Sequence, residues 1–196
     1  MTASIISVTN QKGGSGKSTL SMQLAGALSR EKGKGRVLVV DADPQGTSTR
    51  WAASAPDDRV FPADVIGLSV AGSKVHQEVR KFVEKYDWII IDCPPAVESV
   101  VPQSALMISD LAIVPIVPSP PDLWAGVGIK ELIHRISDIN ETLKTRLVAN
   151  MCQPNTTIAR EALAIIDDFG LPMAKSRIHM CTVFRQCAAF GGLYST

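Results

Sequence analysis

Ile5-Ile6-Ser7-Val8 runs into Asn10-Gln11-Lys12-Gly13-Gly14-Ser15-Gly16-Lys17-Ser18-Thr19, and then Leu20, Leu24 and Leu28 repeat at helical spacing. A short apolar run, a glycine-rich turn ending in Gly-Lys-Ser, and an amphipathic stretch form the strand–loop–helix setting of a phosphate-binding loop. Glycines let consecutive backbone N–H groups converge on anionic oxygens, and the helix N-terminus adds favourable partial charge. In such a loop Lys17 neutralises the β- and γ-phosphates and Ser18 offers its hydroxyl to Mg²⁺. Two features depart from the plain Walker pattern. Gln11 stands where a glycine is expected, and a second lysine, Lys12, precedes the double glycine.

Two further motifs end apolar runs. Val39-Val40-Asp41-Ala42-Asp43-Pro44-Gln45-Gly46 puts two carboxylates at the close of one strand, with Pro44 and Gly46 imposing a turn. Ligands of open α/β sheets sit at the carboxyl ends of strands, so Asp41 and Asp43 can reach a metal and its waters. Taken alone they read equally well as caps of the next helix; beside a phosphate loop the metal reading prevails. Trp88-Ile89-Ile90-Ile91-Asp92-Cys93-Pro94-Pro95 is a Walker B arrangement, a dry strand delivering one carboxylate towards Mg²⁺.

The other apolar runs are Leu111–Val117 and Leu147–Asn150, with weaker candidates near Arg59–Ala63 and Ala174–Ile178. Near-continuous apolar runs are expected of parallel strands buried on both faces. Helical stripes lie between them: Val75, Val79, Phe82 and Val83; Ile129, Leu132, Ile133, Ile136 and Leu143; and Ile158, Ile165, Ile166 and Phe169, stopped by Gly170 and Pro172. Cys181–Phe190 has helical character, with no clear closing helix after it. Strand–helix alternation predicts a mostly parallel sheet with helices on both faces and right-handed crossovers, in one domain spanning residues 1–196.

Composition narrows the function. The 196 residues are 45% apolar with a net charge of +1, so a compact core is expected and no overall nucleic-acid signal exists. The N-terminus carries no secretory pattern, and no apolar run approaches the roughly 20 residues of a membrane span. Cys93, Cys152, Cys181 and Cys187 form no CxxC pair and read as reduced thiols. His76, His134 and His179 show no ligand spacing.

In these motifs the chain resembles the ParA/MinD superfamily with its deviant Walker A loop, and most nearly the small plasmid ParA class. The resemblance rests on Lys12–Thr19, Asp41–Gly46, Asp92–Pro95 and Val114–Asp122, and covers about residues 4–180. It implies a P-loop nucleoside triphosphatase that segregates DNA, using ATP and Mg²⁺. Two copies would form a nucleotide-sandwich homodimer. Lys12 would cross to the partner's ATP, while Lys17 binds phosphates in its own subunit. Gly13, Gly14, Ser15 and Gly16 would supply the cradle, and Thr19 would touch the α-phosphate. Ser18, Asp41 and Asp92 would support the metal, and Asp43 would orient the attacking water. A lysine supplied in trans couples phosphoryl transfer to dimerisation, because that reaction is mostly positioning and charge stabilisation.

The family loop at Asn150 and Met151 contacts adenine, and the lack of an NKxD motif favours ATP over GTP. Implied partners are a second copy, non-specific DNA and a centromere-binding protein of the ParB/ParG kind, with no membrane. The implied location is cytoplasmic, on the nucleoid. Lys144, Arg146, Arg160, Lys175, Arg177 and Arg185 would serve DNA if they share one face. Alternatives are a positioner of another cargo, such as a protein compartment, or a dethiobiotin synthetase-like enzyme, against which Lys12 argues. The proline-rich stretch Pro115–Pro121 reads either as a rigid wall or as a strand-to-helix connection. Trp124 reads as core rather than contact.

Overall fold

In the computed structural model, residues 2–31, 35–95, 99–153 and 170–193 are described. The elements run β1 (Ser4–Val8), α1 (Lys17–Arg30), β2 (Val37–Asp41), α2 (Thr47–Ala53), β3 (Asp64–Gly67), a 3-10 turn (Ser69–Lys74), α3 (Val75–Arg80), β4 (Trp88–Asp92), α4 (Val101–Leu106), β5 (Leu111–Ile116), α5 (Pro120–Ser137), β6 (Lys144–Ala149) and α6 (Thr182–Ala189). The six strands form one sheet in the order β3-β2-β4-β1-β5-β6. Every pairing is parallel.

Side-chain alternation divides the core between the two faces. Val37, Val39, Ile90, Ile6 and Val8 face Met22, Ala25 and Trp51, from α1 and α2, with Cys187 of α6. Leu38, Val40, Ile89, Ile91 and Ile5 face Val75, Val79, Val101 and Ala105, from α3 and α4. Ala112, Val114, Ile116, Leu147 and Ala149 meet Ile129, Leu132, Ile133 and Ile136 of α5. The central strands β2 and β4 are buried on both faces, which explains why their sequences are unbroken apolar runs.

The structure corrects several expectations. The strand expected near Arg59–Ala63 lies at Asp64–Gly67, directly after Pro62 and Ala63. Its half-exposed residues leave a weak apolar signal, as an edge strand does. Ala174–Ile178 is not a strand. That stretch follows the free edge of β6 through isolated bridges, Leu147 to Met173 and Cys152 to His179. Strand β6 begins at Lys144, earlier than its apolar run, because Lys144 and Arg146 point outward while Thr145 and Leu147 are buried. In α1 the fully buried apolar side chains are Met22 and Ala25, with Leu20, Leu24 and Leu28 flanking them.

Helix α3 stops at Arg80, so Phe82 and Val83 reach the core from the following turns. Helix α5 ends at Ser137, before Leu143. The stripe Ile158–Phe169 lies outside the described residues. Helices α2 and α4, seven and six residues long, give too short a period for their pattern to be read.

The proline-rich stretch is a strand-to-helix connection. Pro115 sits inside β5, and Pro120 and Pro121 open α5 at positions whose N–H groups have no helical partner. Pro115 is tolerated because its backbone faces the β1 side, where that strand has already ended. Asn10 supplies the missing rung by donating Nδ2 to the Pro115 carbonyl at 2.7 Å.

Candidate phosphate and nucleotide site

Three segments far apart in the chain meet at one edge of the sheet. Strands β2, β4 and β1 are neighbours, and their registers pair Asp41 with Asp92 and Asp92 with Val8. The loop of residues 9–16 leaves β1 beside both carboxylates. The chain reverses its direction of sheet growth around β1, and such a reversal opens a crevice at the strands' carboxyl ends.

The loop is ordered by its own backbone. Gly14 and Gly16 adopt φ of 75° and 87°, a region costly to any residue with a Cβ. Gly16 is also crowded, since a Cβ there would collide with the Asn150 side chain. Asn150 donates Nδ2 to the Ser15 carbonyl at 2.8 Å and is buried, so β6 ties down the loop from two strands away. The Lys17 ammonium donates to the Lys12 carbonyl at 3.0 Å. Burial lowers the Lys17 pKa, opposed by the negative charges of Asp92 and Asp43.

The carboxylates are held separately. Asp41 Oδ2 accepts from the Thr49 N–H at 2.8 Å and from its hydroxyl at 2.9 Å. The helix-cap reading of Asp41 therefore holds alongside its place at the site. Asp43 is half-buried and accepts the Gln45 N–H at 2.9 Å. Asp92 accepts Ser48 Oγ at 2.7 Å and Ser21 Oγ at 3.4 Å. Its pKa is pushed up to about 6, first by burial and then by the charge of Asp41, with the hydroxyls of Ser18 and Ser48 opposing. Ser21 and Ser48 were not anticipated. Serines carry no periodic signal, and only the fold turns them towards β4.

These oxygens suit magnesium. The Ser18 hydroxyl is near enough to Asp92 to favour its charged form, and Asp41 lies beside Asp92. Among the described residues no three His, Cys, Asp or Glu side chains meet as a metal cage. Mg²⁺ needs no such cage, because it keeps waters and takes one or two carboxylates plus substrate phosphates. Two adjacent buried carboxylates and a hydroxyl are hard oxygen donors of that kind.

A cavity of about 330 Å³ opens beside α1. Thr19, Leu20, Gln23, Asn150, Met151, Ile178, Met180 and Phe184 are on its wall. Asn150 and Met151, the candidates for the base, border this cavity, and Met151 takes φ of 53° to turn there. Ile178, His179, Met180 and Cys181 carry no lining signal in the sequence, because they reach the cavity only by following the β6 edge.

Lys12 is paired within its own chain, its ammonium 2.7 Å from Asp122 Oδ2. Of the basic residues expected to share one face, Lys144, Arg146, Lys175 and Arg177 are exposed on adjoining stretches. Arg160 and the Arg185 side chain lie outside the described residues, as does the Trp124 side chain. The cysteines are free, and burial raises the Cys93 and Cys152 thiols. No helix among the described residues is long and apolar enough to cross a membrane.

A parallel α/β sheet carrying a glycine loop, its lysine and two strand-end carboxylates defines a phosphate-loop nucleotide-binding protein. Residues 6–191 match the CobQ/CobB/MinD/ParA nucleotide binding domain, and the chain belongs to that family. It is 30% identical over 188 residues to the maintenance of carboxysome distribution protein A of Halothiobacillus neapolitanus, covering 95% of this chain and 84% of that one. It is 32% identical over 180 residues to the sporulation initiation inhibitor protein Soj of Bacillus subtilis, covering 74% and 69%. Among solved structures, the ATP complex of a McdA variant from Cyanothece superposes with a TM-score of 0.82 at 16% identity, over 98% and 89% of the two chains.

Proposed function

We propose that this protein is an Mg²⁺-dependent ATPase whose two copies close face to face around two nucleotides and position a cargo. The observation that carries the reading is the convergence of Lys17, Ser18, Asp41 and Asp92 at the ends of β1, β2 and β4. Solved proteins of the same fold hold ATP, or ADP with magnesium, which supports ATP and Mg²⁺ as its ligands.

Lys17 and the N–H groups of Gly13–Thr19 bind the phosphates, with Thr19 towards the α-phosphate. Ser18, Asp41 and Asp92 would hold the metal, which would supply charge neutralisation to the phosphates. Asn150 and Met151 border the base. Asp43, exposed enough to meet solvent, orients the attacking water. Lys12 completes the partner's site.

The cargo reading is DNA segregation, with the dimer held non-specifically on the nucleoid and a centromere-binding protein stimulating turnover. A second reading, a protein compartment as cargo, is favoured by the greater span of the Halothiobacillus likeness. The test is sedimentation of the purified protein with ATP, Mg²⁺ and duplex DNA of arbitrary sequence. A dimer that co-sediments with DNA only in ATP is expected, whereas a monomer that ignores DNA refutes the proposal. Plasmid retention and compartment spacing in a deletion strain then separate the two cargoes.

A further inference from the structure

Three consecutive residues of the phosphate loop are held by one neighbouring unit, the β5–α5 hairpin. Asn10 donates to the Pro115 carbonyl. The Gln11 amide lies against Gly128 of α5, where even a methyl group would collide with it. Lys12 forms its ion pair with Asp122 in the first turn of the same helix, at 2.7 Å. The Asp122 side chain is 6% exposed and that of Lys12 is 39% exposed, so a buried carboxylate is paired with a lysine that solvent reaches.

Asp122 is built to hold a cation and to survive its departure. It is the third residue of α5, where the helix dipole favours a negative charge. Pro120 and Pro121 before it have no N–H to offer. Its Oδ2 takes instead the Ser119 hydroxyl together with Lys12. When Lys12 leaves, the Ser119 bond and the helix end remain.

We infer that Asp122 is a positioning residue that parks Lys12 within its own subunit and thereby sets the nucleotide threshold for dimerisation. This rests on the proposed trans role of Lys12. A lysine that must reach the partner's phosphates has first to exchange one carboxylate oxygen for phosphate oxygens. The pair therefore lowers the population of the dimer-competent state without touching nucleotide. An ammonium bound to Asp122 also keeps the resting chain from completing a site by chance encounter.

The experiment measures the protein concentration for half-dimerisation, by sedimentation, with a non-hydrolysable ATP analogue and Mg²⁺. Asp122→Asn keeps the shape and the Ser119 bond but loses the charge. It is expected to lower that concentration by about tenfold, and to have no effect in a Lys12→Ala background. An unchanged or raised concentration in folded Asp122→Asn protein overturns the inference. Dimerisation of Lys12→Ala like the wild type sinks the trans-lysine reading itself, a separate outcome.

A second measurement needs no dimer. In nucleotide-free protein, Lys12→Ala leaves a buried carboxylate without its cation and is expected to lower the melting temperature. Adding Asp122→Asn to that variant restores it. A Lys12→Ala melt equal to the wild type's shows that no pair forms and overturns the inference.

Discussion

Asp43 and Asp92 are both carboxylates at strand ends, yet their surroundings differ. Asp43 is half-buried and its Oδ1 accepts the Gln45 N–H within its own turn, which leaves Oδ2 for water. Asp43→Ala is expected to bind ATP and dimerise normally while turnover falls by at least about 100-fold. Single-turnover hydrolysis with a parallel dimerisation assay checks this, and undiminished turnover removes Asp43 from the mechanism. Asp92 is buried beside Asp41, and its folded pKa stands at about 6 against an ordinary 3.8. The folded chain holds that proton more tightly than the unfolded one. The contribution of Asp92 to the stability of metal-free protein is therefore full below pH about 3.8 and is lost as pH rises to about 6. Asp92→Asn removes the decline. Its stability relative to wild type should increase by up to about 3 kcal/mol across that window, measured by urea unfolding in chelator. A flat difference would show that Asp92 ionises freely.

The elements carry a different lesson, because the phosphate loop is shaped by strands it does not join. Strand β6 reaches the loop through one amide, Asn150 to the Ser15 carbonyl. Asn150→Ala leaves that carbonyl without its partner and is expected to weaken ATP binding by about tenfold, with little change in the fold. Calorimetric titration reads the affinity, and an unchanged value would mean that the loop needs no tether. Much of this loop was legible beforehand: its glycines, Lys17 and Ser18 announce it by spacing alone. The tether was legible only as an asparagine at a strand end. Its hydrogen bond spans 135 residues of chain and two sheet neighbours, and no local pattern encodes such a partner.

The molecule closes through its last described residues. Leu193 lies against Gly26 of α1, Gly191 against the backbone of Ala55, and the Gly192 carbonyl accepts the Trp51 indole N–H at 3.0 Å. The residues that follow α6 thus pack against α1 and the end of α2. Gly191 has φ of 60° and no room for a methyl group. Gly191→Ala should cost about 1–3 kcal/mol of stability and alter Trp51 fluorescence, read in one urea titration. Unaltered unfolding would show that this closure contributes nothing.

Local physics accounts for what could be read from the chain: glycine spacing makes a loop, unbroken apolar runs make buried parallel strands, and an aspartate after such a run makes a strand-end carboxylate. Strand order, the meeting of Asp41 with Asp92, the Ser21 and Ser48 donors and the Lys12–Asp122 pair came from packing. They depend on which strands become neighbours. Each pairing links residues dozens of positions apart, so its energy is realised when the sheet assembles and leaves no periodic trace in the order of amino acids.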